Sequence, residues 1–457
     1  MNSPTVVVSS SRRPVAGFVA ICVGYFAIIL DGSVLNVAVP AIRADLGSSM
    51  AGAQWVLNGY TLTLAALLLT AGALGDRLGL RRAFLAGVVV FTAASVSCAL
   101  APSTAVLVGA RVVQGLGAAA LLPATLALIP HLFPDREDQA RAAVVWVATG
   151  AISMALGPLV GGLLIDLLGW RSIFLLNVPV GVVSVALAWT AVAETPRRRR
   201  RLDVPGQLTA VAALGLVTAG VICSGSAGWG APLTLGLLGA GLVAGAGFWI
   251  AEHRGSEPML PPEFFAHRVR TVAVTSAALM GFLFYGTLFV MSLYFQQLRG
   301  WSPGAAGVAL LPMTVGSTIG PLALYRPLSR RFGHPVMLVA GFCCCALGIA
   351  TLAWTGPHTA YAYLAVGLLL TGMSSTVAFS ALTSLLVAST PADEAGLASG
   401  VQNTTRQAGA LMSVAILGSV LNGASFAGRL PVAFAVLAVV VAGAIALAGY
   451  GKRASGR

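Results

Sequence analysis

Apolar residues run along this chain in long stretches, and the segments between them hold most of its charges. A helix needs about 20 apolar residues to cross a bilayer, and fourteen stretches reach that length. Six lie between residues 15 and 193, two more at 206–226 and 232–252, and six between 271 and 450. The pattern predicts an all-α polytopic membrane protein with fourteen transmembrane helices arranged as six, two and six. Pro196, the run Arg197 to Arg201 and Pro205 punctuate the first boundary, and the segment 253–270, rich in Pro, Glu and Arg, punctuates the second. The expected units are an N-terminal bundle over 1–196, a basic loop with two inserted helices and a linker over 197–270, and a C-terminal bundle over 271–457.

An internal repeat fits this division. "LGDRLGLRRAF" at 74–84 has a degraded counterpart in "LSRRFGHPVML" at 328–338, and "GLGAAALLPATLALI" at 115–129 has one in "GMSSTVAFSALTSLL" at 372–386. Duplicated helical bundles are a transporter signature, with the binding site expected near mid-membrane between the halves.

Basic residues test the topology independently, because cytoplasmic loops carry the excess. Placing the N-terminus inside puts Arg12, Arg13, Arg77, Arg81, Arg82, Arg136, Arg141, Arg197 to Arg201, Arg254, Arg268, Arg270, Arg326, Arg330, Arg331, Lys452, Arg453 and Arg457 on the cytoplasmic face. Only Arg43, Arg171, Arg299 and Arg429 fall outside. Both termini are therefore expected in the cytoplasm. Arg12 and Arg13 imitate a signal-peptide start, but the stretch after them exceeds an h-region and lacks a convincing cleavage site, so an uncleaved first span is expected.

Composition agrees: the chain is 57% hydrophobic and 9% charged over 457 residues. Its formal charge of +13 would suggest a nucleic-acid partner in a soluble protein. Sorted into cytoplasmic loops, that charge becomes a topology signal, and no nucleic acid is expected. The six cysteines lie in apolar segments without paired CxxC spacing, which reads as small hydrophobes and no metal site.

Of fourteen acids, Asp31 in "YFAIILDGSVLNVAVP" is the one well inside a span; Asp166 and Glu252 sit at span ends. A carboxylate at bilayer depth is costly and marks function by default. A proton-coupled machine needs a buried group that exists both charged and neutral, and Asp31 is the candidate; a permanent packing pair is the competing reading. Arg111 in span four sits about six residues from the same face, at about 1.5 Å per residue, so the two share a depth. An Asp31–Arg111 contact, direct or through Gln114 or water, is available. Arg406, with Gln402, Asn403 and Gln407 around it in "NTTRQAGALMS", must face a cavity or a partner. With Asn36, Asn58, Gln114, Asn177 and Gln296 it makes a candidate polar lining for a central cavity, although any one amide serves equally as interhelical glue. Tyr25, Phe26, Trp55, Tyr60, Phe284, Tyr285 and Tyr294 are candidate aromatic walls or packing. "GAISMALGPLVGG" brings Gly150, Gly157, Pro158, Gly161 and Gly162 into one span, and "GSTIGP" repeats the device with Gly316 and Gly320 in span ten. The two spans are expected to face each other in a close, bendable seam.

"LDGSVLNVAVP", "GALGDRLGLRRAFL", "RVVQGLGAAALLP" and "GAISMALGPLVGG", in that order, resemble the signature motifs of major facilitator superfamily drug:proton antiporters. "WRSIFLLNVPVG", "NTTRQAGA" and the inserted spans are similar to the fourteen-span EmrB/QacA branch, which includes antibiotic self-resistance exporters. The resemblance implies a major facilitator fold and specific roles. Gly72, Asp76, Arg77, Gly79 and Arg81 match the loop that latches the cytoplasmic face, Arg111 the arginine linked to proton transfer, and Gly150, Gly157, Pro158, Gly161 and Gly162 the antiporter motif. Asp31 matches the acidic coupling position of span one. Leu80 departs from the loop pattern, which usually has a basic residue there.

An ATP-driven pump needs a phosphate loop ending in Gly-Lys-Ser/Thr, but Lys452 is the sole lysine and Arg453 follows it. The five histidines are scattered near loops, so no enzyme is expected. The expected function is export of a small amphipathic drug or antibiotic in exchange for protons across the cell membrane, by a monomer with no cofactor besides the proton gradient. A proton-coupled transporter of another small metabolite is the alternative. With two arginines against one acid, the cargo is expected to be neutral, anionic or weakly cationic.

Overall fold

The computed structural model describes residues 12–197, 203–255, 258–391, 394–423 and 425–455. Arg198 to Arg201 and Arg457 of the basic clusters lie outside them. In hydrocarbon every backbone polar group must be satisfied internally, which for these apolar stretches leaves the helix. The first six long helices are α1 (Arg12–Leu46), α2 (Met50–Leu78), α3 (Leu80–Ala99), α4 (Thr104–Ala127), α5 (Arg136–Leu168) and α6 (Ser172–Ala191). Next come α7 (Val204–Ala227) and α8 (Pro232–Arg254), then α9 (Arg268–Leu298). The bent pair Pro303–Ile319 and Ala323–Phe332 is α10, followed by α11 (His334–Ala353), α12 (Tyr361–Ala388), α13 (Ala395–Leu421) and α14 (Phe426–Ser455).

Among the described residues, 12 helices are long and apolar enough to cross a membrane, or up to 13 with the bent pair α10, whose halves meet at 42°. The remaining long helix, α13, falls short of that apolarity because Gln402, Asn403, Thr404, Thr405, Arg406 and Gln407 occupy its middle. The chain is thus a multi-pass membrane protein.

Packing follows the internal repeat. In the first six helices α1 contacts α5 and α6, α4 contacts α2 and α3, and α3 contacts α6. In the last six, α9 contacts α13 and α14, α12 contacts α10 and α11, and α11 contacts α14. Absent side chains permit close crossings at matching places in the two halves: a Cβ on Gly87 of α3 would lie 2.9 Å from the Gly117 carbonyl of α4, and one on Gly348 of α11 would lie 3.0 Å from the Gly367 carbonyl of α12. The repeated loop also ends its helix in the same way twice. Gly79 (φ +98°) and Gly333 (φ +78°) take a backbone conformation that side-chain-bearing residues avoid.

The two sets of six meet along two main seams, α2 with α13 and α5 with α10. The α7–α8 hairpin rides on the first, where α7 touches both α2 and α13. Gln207 of α7 donates to the Ala66 carbonyl of α2 at 2.9 Å and accepts from Thr70. At the other end, Asn422 donates to the Gly225 carbonyl at 3.0 Å.

Candidate transport site

Asp31 lies in α1 with only 2% of its surface exposed, and Arg111 of α4 has 1%. Arg111 Nη1 donates to Asp31 Oδ2 at 2.5 Å. Gln114 Nε2 and Asn177 Nδ2 each donate to Asp31 Oδ1 at 2.9 Å. Both amides also reach Ser95 Oγ, at 2.7 and 3.2 Å. The guanidinium donates further to Gln114 Oε1 at 2.6 Å and to the Val56 carbonyl at 3.2 Å, and lies 4.3 Å from the centre of the Tyr60 ring. A charge pair this deep is tolerable only when most of its donors and acceptors are occupied, and this network occupies both Asp31 oxygens and the Nε and Nη1 donors of Arg111. The spacing of Arg111 and Gln114, one turn apart, puts both on the α4 face toward α1.

Between the halves is a cavity of about 700 Å³, within the range of about 300–1,000 Å³ that holds drug-sized ligands. Its walls include Tyr25, Ile29, Gly72, Asp76, Leu122, Trp146, Asn403 and Arg406. Tyr25 and Trp146 stack at 4.0 Å with planes 13° apart. Deeper in, a much smaller recess is lined by Asn36, Tyr60, Arg111, Tyr285, Arg406 and Gln407. Arg406 is common to both. Its Nη1 reaches Tyr285 Oη at 3.3 Å and its Nη2 reaches Asn403 Oδ1 at 3.4 Å, while Nε is buried without an acceptor. The recess therefore offers cation and amide donors beside aromatic surface.

Beyond the recess the halves are closed on each other. Ser292 of α9 donates to the Asn36 carbonyl at 2.9 Å, and Gln296 Nε2 to the Val37 carbonyl at 3.1 Å. Further out, Asp166 at the end of α5 accepts from Ser302 Oγ at 2.8 Å and from the Gly304 N–H at 2.9 Å, capping the start of α10, where a carboxylate is favoured by the helix dipole. Asp166 is exposed, so its bond is worth about 1 kcal/mol. Asp166→Ala should thus raise the open fraction of this closure only several-fold, as read by alkylation of a cysteine placed at Leu298.

Residues 21–414 match the family described as the Major Facilitator Superfamily. The chain belongs to the Major Facilitator Superfamily. It is a transporter-family protein and not an enzyme. It is 35% identical over 426 residues to the methylenomycin A resistance protein of Streptomyces coelicolor, covering 92% of this chain and 89% of that one. It is 36% identical over 413 residues to the multidrug resistance protein Stp of Mycobacterium tuberculosis, covering 90% and 76%. An auto-inhibited POT family peptide transporter shares the fold, with a TM-score of 0.68 over 96% of this chain and 97% of that one, at 17% identity.

The loop between α2 and α3 is docked onto the end of α6. The Leu80 N–H donates to Thr195 Oγ1 at 2.7 Å, Arg81 Nη2 donates to the Trp189 carbonyl at 2.7 Å, and Arg82 Nε pairs with Glu194 at 3.0 Å. A Cβ on Gly79 would press on Glu194. Leu80, the departure from the usual pattern, is buried in this contact, while Gly72 and Asp76 line the cavity and Arg77 is exposed. Glu194 and Thr195 escaped the sequence reading because loop residues before a proline carry no periodicity.

Four expected cavity residues lie elsewhere. Gln114 and Asn177 are consumed by Asp31. Gln296 belongs to the closed seam, because the end of α9 lies against α1. Asn58 is buried on α2 with neither amide atom bonded. Asn36 and Arg406 do line the recess. α5 and α10 do face each other closely, as expected, but most of the named glycines do not form that seam. Cβ atoms on Gly150, Gly157 and Gly161 would strike Tyr25, Ser33 and Val34 of α1, so this face of α5 admits α1. Of the α5 glycines Gly162 alone meets α10, at Pro303 and Gly304, and Pro158 meets it through its carbonyl, which lies against Gly307. Gly316 and Gly320 turn away, toward Leu369 and Met373 of α12. Two further residues went unnoticed as site elements: Trp146, hidden by its apolar span, and Gln54, which donates to the Val414 and Ala415 carbonyls of α13 at 2.9 and 2.8 Å.

Proposed function

We propose that this protein exports a small amphipathic drug or antibiotic in exchange for protons, by alternating access. The observation that carries the reading is the enclosed Asp31–Arg111–Gln114–Asn177 network beside a drug-sized cavity that is shut at one end. Relatives named for resistance to methylenomycin A and to multiple drugs support export as the direction.

The network gives a proton a mechanical consequence. Three donors converge on Asp31, so an added proton places a fourth donor among them and leaves a buried clash. Protonation therefore disfavours this arrangement and favours one in which Arg111 has moved, which is how a ligand shifts a two-state equilibrium. Gly72, Asp76, Arg77, Gly79 and Arg81 serve as the gate on the cavity side, and the Gly162–Gly304 contact as the closure opposite. Gly150, Gly157, Pro158 and Gly161 let α5 slide on α1.

In this reading the chain makes fourteen crossings, counting the bent α10 and the polar α13, with both termini in the cytoplasm of a cell membrane. Residues 1–196 and 271–457 form the moving halves, and 197–270 supplies the inserted hairpin. One chain holds the whole pathway, and the proton gradient is the only energy source. The test is substrate-induced proton flux in proteoliposomes across a panel of antibiotics and lipophilic dyes. Flux that begins on addition of a compound establishes antiport. A panel without any such response, with protein shown to be folded, would remove the exporter reading.

A further inference from the structure

The α7–α8 hairpin carries a second acid site that the transport cycle above does not use. Asp203 precedes α7 and caps it, Oδ1 accepting from the Gly206 N–H at 2.9 Å. Glu252, near the end of α8, is 3% exposed and accepts from the Leu260 N–H at 2.7 Å through Oε2. The second oxygens, Asp203 Oδ2 and Glu252 Oε1, are buried and receive no donor from the protein. They converge over Gly206, where an added Cβ would run into Asp203 Oδ2 and come within 2.8 Å of Glu252 Oε1.

Two carboxylate oxygens facing each other without a donor repel when both are ionised, and the arrangement becomes a hydrogen bond only with a proton between them. We propose that Asp203 and Glu252 share one proton, forming a protonation site on the inserted hairpin that is separate from Asp31. The other charged groups near it come from several elements. Asp76 of α2 and Arg406 of α13 line the cavity whose wall also includes Asp203, Pro258 and Met259. Arg254 and His253 end α8 exposed, with the His253 ring on the Trp249 carbonyl, and Glu263 and Arg197 are exposed on the linker and before α7.

The shared proton ties α7, α8 and the linker at 258–260 into one clamp at the cavity mouth. Its loss sets two charges against each other and frees Glu252, and with it the Leu260 anchor and the Pro258–Met259 wall. Amide replacements fit this geometry. In Glu252→Gln the carbonyl oxygen keeps Leu260 and the NH2 donates to Asp203, so the clamp stays closed at every pH. Asp203→Asn does the same from the other side.

The experiment uses the full chain in lipid nanodiscs and needs neither cargo nor transport, so it stands apart from the exporter reading. Difference infrared spectra between acid and alkaline pH should show a protonated-carboxyl band that is lost in Asp203→Asn and in Glu252→Gln and retained in Asp31→Asn. Alkylation of Met259→Cys, corrected for ionisation of the thiol itself, should speed up several-fold as pH rises in the otherwise native chain, and show no further rise when Glu252→Gln is added. A band that survives both amide variants, or Met259→Cys alkylation that follows pH equally with and without Glu252→Gln, overturns the proposal.

Discussion

Asp31→Asn is expected to abolish proton-driven export while leaving the chain folded. Asparagine matches aspartate in volume but presents one oxygen and one NH2 where the native residue presents two acceptors. Arg111 donates to one side of Asp31, and Gln114 and Asn177 donate to the other. Whichever way the amide turns, its NH2 meets a donor. Breaking a buried charge pair from one side costs about 3–5 kcal/mol. Part of that cost is relieved by leaving this conformation, so the variant should behave as a permanently protonated carrier. Compound-dependent proton flux should fall to background, and reporters on the closed seam should become reactive. Retained flux in Asp31→Asn would move coupling to another group.

The second large effect is steric. Gly307→Leu is expected to prevent closure of the α5–α10 seam, because its Cβ alone would collide with the Pro158 carbonyl, and Gly162 already sits so close that its own Cβ would lie 2.9 Å from the Gly304 Cα. Overpacking costs about 1–3 kcal/mol even where side chains can adjust. Backbone on both sides leaves less to adjust, and about 3 kcal/mol is a shift of about a hundredfold between open and closed forms. Transport should be lost, and a cysteine at the buried Ser292 should become reactive to an impermeant alkylating reagent. Gly236→Leu is the control: no atom lies within 4 Å of its added Cβ, so transport and labelling should match the native chain. Normal export by Gly307→Leu would show that this seam does not need to close.

The helices were legible in the sequence because lipid imposes one rule on every span, and the apolar stretches meet it independently of their neighbours. α13 was found as a helix, although its polar middle leaves it short of the apolarity of the others. The Asp31–Arg111 pair was legible for a simple reason: both are charges at a countable depth. What a residue faces across a helix was much less so. Gln114 was named both as a bridge in the pair and as cavity lining, and only the first role holds; Asn177 reads as generic polar lining yet belongs to Asp31, and Gln296 reads the same way but lies on a seam. Gly157 and Gly316 illustrate the same gap, since close-approach glycines announce a neighbour without saying which one. The Asp166 cap on α10 joins residues 138 positions apart, and no local pattern encodes it.

Asp31 touches neither the large cavity nor the small recess; only its partner Arg111 borders the recess. On the proposed reading, energy input and cargo recognition therefore reside in different walls of the molecule. Substitutions at Tyr25, Trp146, Asn403 or Arg406 can change which compounds are carried without touching the groups that take up the proton. A lineage can then widen or redirect its resistance spectrum by editing one surface while inheriting its engine unchanged. Selection with a new antibiotic should enrich changes in the cavity wall and leave Asp31, Arg111, Gln114 and Asn177 as they stand.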